Sequence, residues 1–480
     1  MVSTREFLCP LFLRWQAQPE QAVLVQGESV WTAAALEAWV RHVVVRLHEE
    51  GVVEGMRIGL WLDDPVRTVG VLLALWRLRA VACLLSTRVP EGGLAAFIRQ
   101  VGLAGLITDR SVAVGVPVWP VQMLEEGDNR QPSEPPRLTL DQPAAVFFTS
   151  GSTGTPKGVL HALRQLVFSA RGAQAVFPLK AGDRWLLVLP LYHVGGMGVV
   201  MRCLLYGATI VVPERQEPLG EALMRYGITH ASLVHTQLWR LLRGHDGPPP
   251  PTLRAVLLGG SAVPEALLVE GLRRGWPLHM SYGLTETASL VTATPSGAMP
   301  EVLRTAGQVL PYREVRLAPD GTIWVRGPVR FIGYLEEGRL VQPFDAEGWF
   351  DTGDLGAWDK QGYLRVIGRR DNRFISGGEN IQPEAIEAAL MQLSGIAQAI
   401  VVPVADEEFG QRPAAFVQLE EGALWTPELW RAQLRAVLPG FMIPVAFWPW
   451  PVSSAAAIKV SRPWLQHEAT RRWLQQKSTS

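Results

Sequence analysis

From Thr32 onward apolar residues return every three or four positions. Leu36, Trp39, Val40, Val43, Val44 and Leu47 share one face and Arg41, Arg46 and Glu50 the other, which predicts an amphipathic helix. Short apolar runs bounded by Gly or Pro then recur at residues 58–62, 144–148, 185–189, 208–212 and 253–258, with helical patterns between them. Strands alternating with helices predict an α/β fold. Past Arg369 the pattern restarts. A helix opened by Pro383 turns Ile386, Ala389, Leu390 and Leu393 inward, and strand-like runs follow at 399–404 and 414–419. The expected organisation is a large N-terminal domain, residues 1–369, and a small α+β domain, residues 370–480. The polar residues Gly368, Arg369, Arg370, Asp371 and Asn372 suit a hinge between them. The Pro- and charge-rich stretch 126–136 and the proline run in 244–251 read as surface connections.

Charge narrows the partners. Lys+Arg 45 balances Asp+Glu 45, so no global field favours nucleic acid or an anionic membrane surface. With 48% hydrophobic and 19% charged residues the chain can bury a large core. Cys9, Cys83 and Cys203 are odd in number and widely spaced, which suits neither a disulfide framework nor a zinc cluster and fits a reducing cytoplasm. No secretion signal is visible, and the most apolar run, 69–85, is broken by Arg77 and Arg79, so a soluble protein without a membrane span is expected. Small-molecule substrates are the expected partners; oligomeric state is left open, a homo-oligomer included.

The densest chemical signal is Thr149-Ser150-Gly151-Ser152-Thr153-Gly154-Thr155-Pro156-Lys157-Gly158, directly after a strand-like run and before an expected helix. Small residues let backbone approach a polyphosphate, hydroxyl and N–H groups donate, and Lys157 supplies charge. It is not a Walker A loop, because Pro156 precedes the lysine and Gly158 follows it. Further on stand Tyr282-Gly283-Leu284-Thr285-Glu286-Thr287, Asp351-Thr352-Gly353-Asp354, Gly368 to Asn372, Gly377-Gly378-Glu379-Asn380 and Ile458-Lys459-Val460-Ser461-Arg462. The chain holds only five lysines, yet two of them, Lys157 and Lys459, fall inside these motifs.

In this order the motifs resemble those of the adenylate-forming superfamily, the acyl-CoA synthetases, luciferases and peptide-synthetase adenylation domains. The resemblance runs from the glycine-rich loop almost to the C-terminus. It implies ATP, Mg²⁺ and CoA, and attack of a carboxylate on the α-phosphate. Glu286 is then suited to Mg²⁺, a hard ion that prefers carboxylate and phosphate oxygens. Asp354 and Arg369 would face the ribose, Tyr282 and Gly283 the adenine, and the Gly259-Gly260-Ser261 turn the edge of the base; core packing is the other reading of Tyr282. Lys459 would stabilise charge on the reacting carboxylate and phosphate. Its neighbour Ile458 departs from the superfamily, where many members have Gly. Gly377, Gly378 and Glu379 match a segment that lines the CoA thiol tunnel, and Asp371 the pivot of the C-terminal domain. His193 gates the acid site or is structural.

Residues 189–196, 231–242 and 376–383 and the ending Ile458-Lys459-Val460-Ser461-Arg462 resemble one branch more than the superfamily at large, a branch whose acid is an aromatic keto diacid with a second carboxylate left free. That branch implies an unpaired cation in the acid site, for which Arg202, alone in the apolar segment 197–205, is the candidate; an arginine reaching solvent or paired structurally is the alternative. Ser232, Ser281 and Thr285 are candidate polar contacts there. A ligase for another aryl or acyl acid, and a catalytically silent nucleotide sensor, are the competing functions. Lys459→Ala is expected to lower adenylation ~10²- to 10³-fold and to spare thioester formation from a supplied acyl-adenylate. Measuring the two half-reactions separately checks this, and equal loss in both contradicts the role.

Overall fold

The computed structural model describes residues 6–125, 137–150, 156–451 and 462–479. Two large twisted sheets organise the N-terminal part. In the nine-stranded sheet, Leu278–Leu284, Ala255–Leu258, His230–Leu233, Arg184–Leu186, Thr209–Val212 and Ala22–Gln26 run parallel, and antiparallel strands close both edges. The eight-stranded sheet has a parallel half around Arg57–Trp61 and an antiparallel half built from Pro143–Ser150, Pro156–Ala162, Gly333–Glu336 and Arg339–Val341.

Strand periodicity sets the layers. Alternate residues of the nine-stranded sheet, Leu186, Val211, Leu233, Val256 and Leu258, pack outward against Leu223, Leu238 and Leu268 of the covering helices. The opposite face meets Ala33–Glu49, Pro65–Arg77, Leu163–Ala173 and Val194–Tyr206, which lie between the two sheets in one continuous core. On the far side of the eight-stranded sheet, Leu94–Val101 covers Val81, Cys83, Leu106 and Val146. Parallel strands buried on both faces read as continuous apolar runs, which is why those segments were legible. The helix expected from Thr32 onward is Ala33–Glu49, capped by the Thr32 hydroxyl, which accepts from the Ala35 amide at 3.1 Å.

One expectation is corrected. The glycine-rich loop does not lead into a helix: Pro156–Ala162 is a strand that pairs antiparallel with Pro143–Ser150, and the helix begins only at Leu163. Val159 and His161 on one side and Leu160 on the other are all buried, so the segment satisfies its backbone in a ladder and packs both faces. Lys157 therefore sits at the start of a strand, without a helix dipole behind it.

A four-stranded sheet, Glu314–Leu317, Thr322–Arg326, Phe350–Trp358 and Leu364–Arg369, leads to the short turn Arg370–Asn372. Beyond it Pro383–Leu390, the long hairpin Ile396–Asp406 and Gly410–Leu419, and Pro427–Arg435 enclose a separate core around Ile386, Val401, Val417 and Trp430. The stretch 126–136 lies outside the described residues. Cys9, Cys83 and Cys203 are buried and unbridged. Among the described residues no helix is long and apolar enough to cross a membrane.

Close helix packing between the sheets needs Gly70, where an added Cβ would lie 1.6 Å from Cζ3 of Trp39. Gly70→Ala is expected to cost about 1–3 kcal/mol through overpacking. A lower urea midpoint by tryptophan fluorescence checks this, and an unchanged midpoint contradicts so tight a contact.

Candidate active site

The motif residues gather where the parallel strands of the nine-stranded sheet end, the position at which α/β sheets bind ligands. Gly259, Gly260 and Ser261 follow the strand Ala255–Leu258, and Ser281, Tyr282 and Gly283 lie near the end of its neighbour Leu278–Leu284. The Ser281 hydroxyl donates to the Leu258 carbonyl at 2.8 Å, joining the two strand ends. Gly260 turns the chain at φ +82°, a conformation that favours glycine. At Gly283 the register shifts against Ser289–Ala293, and a Cβ would stand 1.7 Å from the Ser289 carbonyl oxygen. The turn Thr285–Thr287 then passes through Ala288 at φ +51° and Ser289 at φ +103°. Such backbone needs holding, and the Ser169 hydroxyl does so, donating to the Ala288 carbonyl at 2.7 Å.

Asp354 is the meeting point of the candidate nucleotide residues. Its Oδ2 accepts from the Tyr282 hydroxyl at 2.6 Å, and its Oδ1 from Arg369 Nη1 at 3.0 Å. Arg369 Nη1 also donates to the Thr352 carbonyl at 2.8 Å, and the Thr352 hydroxyl accepts from the Asp354 amide at 3.1 Å. Each carboxylate oxygen keeps a lone pair, so a diol can still be received. The Tyr282 ring borders the cluster of Val291, Ile323 and Leu364, so packing and a polar role coexist in one residue. Burial and the neighbouring carboxylate raise its phenol well above the usual range.

Glu286 Oε1 accepts from the Tyr334 hydroxyl at 2.8 Å, and burial raises its carboxyl above the ordinary value. The Thr285 carbonyl accepts from His161 Nε2 at 2.8 Å, and the Glu286 carbonyl from the Phe331 amide at 2.8 Å. Lys157 Nζ lies 5.0 Å from the centroid of the Tyr334 ring and 3.9 Å from Glu336 Oε1. Among the described residues no three His, Cys, Asp or Glu side chains gather to hold a metal. A hard cation at Glu286 would thus need phosphate or water oxygens as well, which fits Mg²⁺ carried in with a nucleotide.

Two of the acid candidates share one helix. His193 is exposed at the start of the helix Val194–Tyr206, and Arg202 follows nine residues later, about 14 Å along the axis. Arg202 is 2% exposed, and its Nε and Nη1 have no hydrogen-bond partner among the described residues. Its guanidinium lies over Gly198, where an added Cβ would be 3.0 Å from Nη2, and over the Trp185 ring, 4.8 Å from its centroid. Burial lowers its pKa to about 10, so it stays charged at neutral pH. Ser232 acts one step back, its Oγ accepting from Trp185 Nε1 at 3.1 Å.

Gly377 and Gly378, at φ +57° and +86°, form the hairpin turn between Phe374–Ser376 and Glu379–Ile381. The Gly377 amide donates to the Phe409 carbonyl at 2.9 Å. Asp371 is exposed in the short turn, 3.6 Å from Arg369. Gly151, Ser152, Thr153, Gly154 and Lys459 lie outside the described residues, while Thr149 and Ser150 end the strand that approaches the loop. Sequence reasoning missed Tyr334, Trp185 and His161. Their signals, an aromatic or His within an apolar strand, are those of ordinary core residues.

His161 and His230 are buried, and desolvation lowers both to about 4. An exposed imidazole titrates near ~6.5, so between these values the unfolded chain binds protons that the folded chain refuses. Stability is therefore expected to fall as pH drops from about 6.5 towards 4. Thermal melting across that range checks this, with a shallower slope expected for His161→Gln; an unchanged slope would mean that His161 titrates alike in both states.

The model of the family described as AMP-binding enzyme matches residues 11–335, and that of the AMP-binding enzyme C-terminal domain matches residues 385–451. The 2-succinylbenzoate--CoA ligase of Escherichia coli (strain K12) is 35% identical over 428 residues, 89% of this chain and 89% of its own. A solved structure of o-succinylbenzoate CoA synthetase (MenE) from Bacillus subtilis, in complex with the acyl-adenylate intermediate OSB-AMP, is similar at TM-score 0.88 and 29% identity, covering 96% of this chain and 98% of that one. The same Bacillus subtilis protein in complex with ATP and magnesium ion gives TM-score 0.85 at 30% identity, covering 93% and 96%.

Proposed function

The chain belongs to the AMP-binding enzyme family, and we propose that it is an AMP-forming ligase that joins 2-succinylbenzoate to CoA, a step of menaquinone biosynthesis. The succinyl carboxylate attacks the α-phosphorus of ATP, the bond to the bridging oxygen breaks and pyrophosphate leaves. The CoA sulfur then attacks the acyl carbon of the adenylate, and AMP leaves. Mg²⁺, when bound, neutralises charge on the departing phosphates. Glu286 would hold it from the protein side, with Lys157 beside the polyphosphate. Asp354 and Arg369 orient the ribose, and the Tyr282 ring and the Gly259–Ser261 turn receive the base. Lys459 is assigned to the charge that develops in adenylation.

The observation that carries the substrate assignment is the guanidinium of Arg202, buried with Nε and Nη1 unpartnered among the described residues. Unpaired buried charge is costly, and a second, aromatic carboxylate would satisfy it. His193, at the outer end of the same helix, would stand over the reacting arm. We place the domain boundary between residues 369 and 370, with Asp371 as pivot and Gly377, Gly378 and Glu379 along the path of the CoA thiol. Three buried, unbridged cysteines suit a cytoplasmic enzyme.

AMP formation across a panel of aromatic and aliphatic acids tests the assignment: 2-succinylbenzoate should be preferred, and a preference for monoacids would overturn it. Arg202→Leu should lower kcat/KM for 2-succinylbenzoate roughly 10- to 150-fold, from the ~1.5 to 3 kcal/mol of a charge-assisted hydrogen bond, with KM for ATP nearly unchanged. Equal loss with every acid would make Arg202 structural. Glu286→Gln should raise the magnesium requirement of adenylation, since a neutral amide is a poorer ligand for a hard cation. An unchanged titration would remove Glu286 from the metal.

A further inference from the structure

We propose that Tyr334 is a positioning residue that couples the polyphosphate lysine Lys157 to the metal carboxylate Glu286; this rests on the adenylate-forming reading above. Tyr334 lies on the strand Gly333–Glu336, opposite Val159 in the antiparallel pairing with Pro156–Ala162. Lys157 is two residues from Val159 and so projects on the same side of that strand. Its ammonium meets the Tyr334 ring at 5.0 Å from the centroid, while the phenol donates to Glu286 Oε1 at 2.8 Å. One side chain thus touches both charged groups that must meet the phosphates.

The ring itself is fixed. Phe331 packs edge-on at 4.8 Å and is buried among Phe344 and Phe350. The Phe331 amide also holds the Glu286 backbone carbonyl. The segment from Phe331 to Tyr334 therefore fixes Glu286 at main chain and at carboxylate together. A donor that fixes one carboxylate oxygen orients the other, as partners behind a metal ligand commonly do. The ring gives Lys157 a cation–π seat; without it the ammonium retains Glu336, at 3.9 Å, as its carboxylate partner.

Two variants separate these effects, read by calorimetric binding of ATP with Mg²⁺ and with EDTA, alongside pyrophosphate release. Tyr334→Phe keeps the ring and loses the hydroxyl. Its affinity for ATP in EDTA should stay within about 2-fold of wild type, while the Mg²⁺ needed for half-maximal enhancement of binding should rise about 10-fold. Tyr334→Leu should show the same magnesium defect and in addition bind ATP in EDTA about 2- to 5-fold more weakly, because Lys157 loses its seat. Melting temperatures establish that each variant is folded, and if Tyr334→Leu is not, the Tyr334→Phe comparison decides. A magnesium dependence unchanged in Tyr334→Phe, or equal weakening with and without the metal, overturns the proposal. If the wild-type protein binds no ATP, the functional reading and this inference fall together; if it binds ATP with Mg²⁺ and only the Tyr334 effects are absent, the inference alone falls.

Discussion

A guanidinium closed inside an apolar helix has to be compensated, and the surroundings of Arg202 are arranged around that requirement. Glycine at 198 leaves the space into which the side chain folds back along its helix, and Trp185 offers a π face. Ser232 fixes the indole. None of these is an anion. Desolvation pulls the pKa down to about 10, and the nearby cation Arg313 is itself lowered to about 9, mainly by burial and also by Arg202. The charge survives at neutral pH with no hydrogen-bond partner on Nε or Nη1 among the described residues. In the proposed function a ligand carboxylate supplies the missing term in that balance.

Other buried arginines show how the same fold settles such groups when no ligand is involved. Arg77 meets Glu37 at 2.6 Å, a charge pair made between two helices of the inner layer. Arg313 donates to the carbonyls of Leu290, Pro311 and Ser169, and Arg14 to those of Gly207 and Ala208. Arg14 and Arg77 each leave one nitrogen unpartnered as well, yet they bond carbonyls or a carboxylate with others, whereas Nε and Nη1 of Arg202 are both unpartnered among the described residues, which is the pattern expected of a group that awaits a ligand. The proposed nucleotide end follows the opposite rule. Asp354, Tyr282, Arg369 and Thr352 are already bonded to one another, a preorganised frame that keeps spare lone pairs for the incoming molecule.

Much of this was legible in the chain. The period of Leu36 to Leu47 marked the helix Ala33–Glu49, and apolar runs marked the parallel strands, because burial on both faces leaves no polar alternation to misread. The motifs named Glu286, Asp354 and Arg369, residues that the fold does bring to one sheet end. The strand after the glycine-rich loop is not legible because its short apolar stretch, Val159 to Ala162, carries no period long enough to separate strand from helix. Tyr334 and Trp185 escape a sequence reading because what marks them is contact with residues elsewhere in the chain, Glu286 and Arg202, which no local pattern encodes. Arg202 stood out for the converse reason: a lone cation in an apolar helix is visible without knowing its neighbours.

The most direct test is a binding cycle on the charge itself. Calorimetry would compare two unreactive acyl-sulfamoyl adenosines, one carrying the ring carboxylate and one with hydrogen in its place, on the native protein and on Arg202→Leu. The account predicts a strong preference of the native protein for the carboxylate, lost in the variant, with a coupling of ~1.5 to 3 kcal/mol. Equal preference in both proteins would mean that the carboxylate is received elsewhere, and that the buried cation serves the fold.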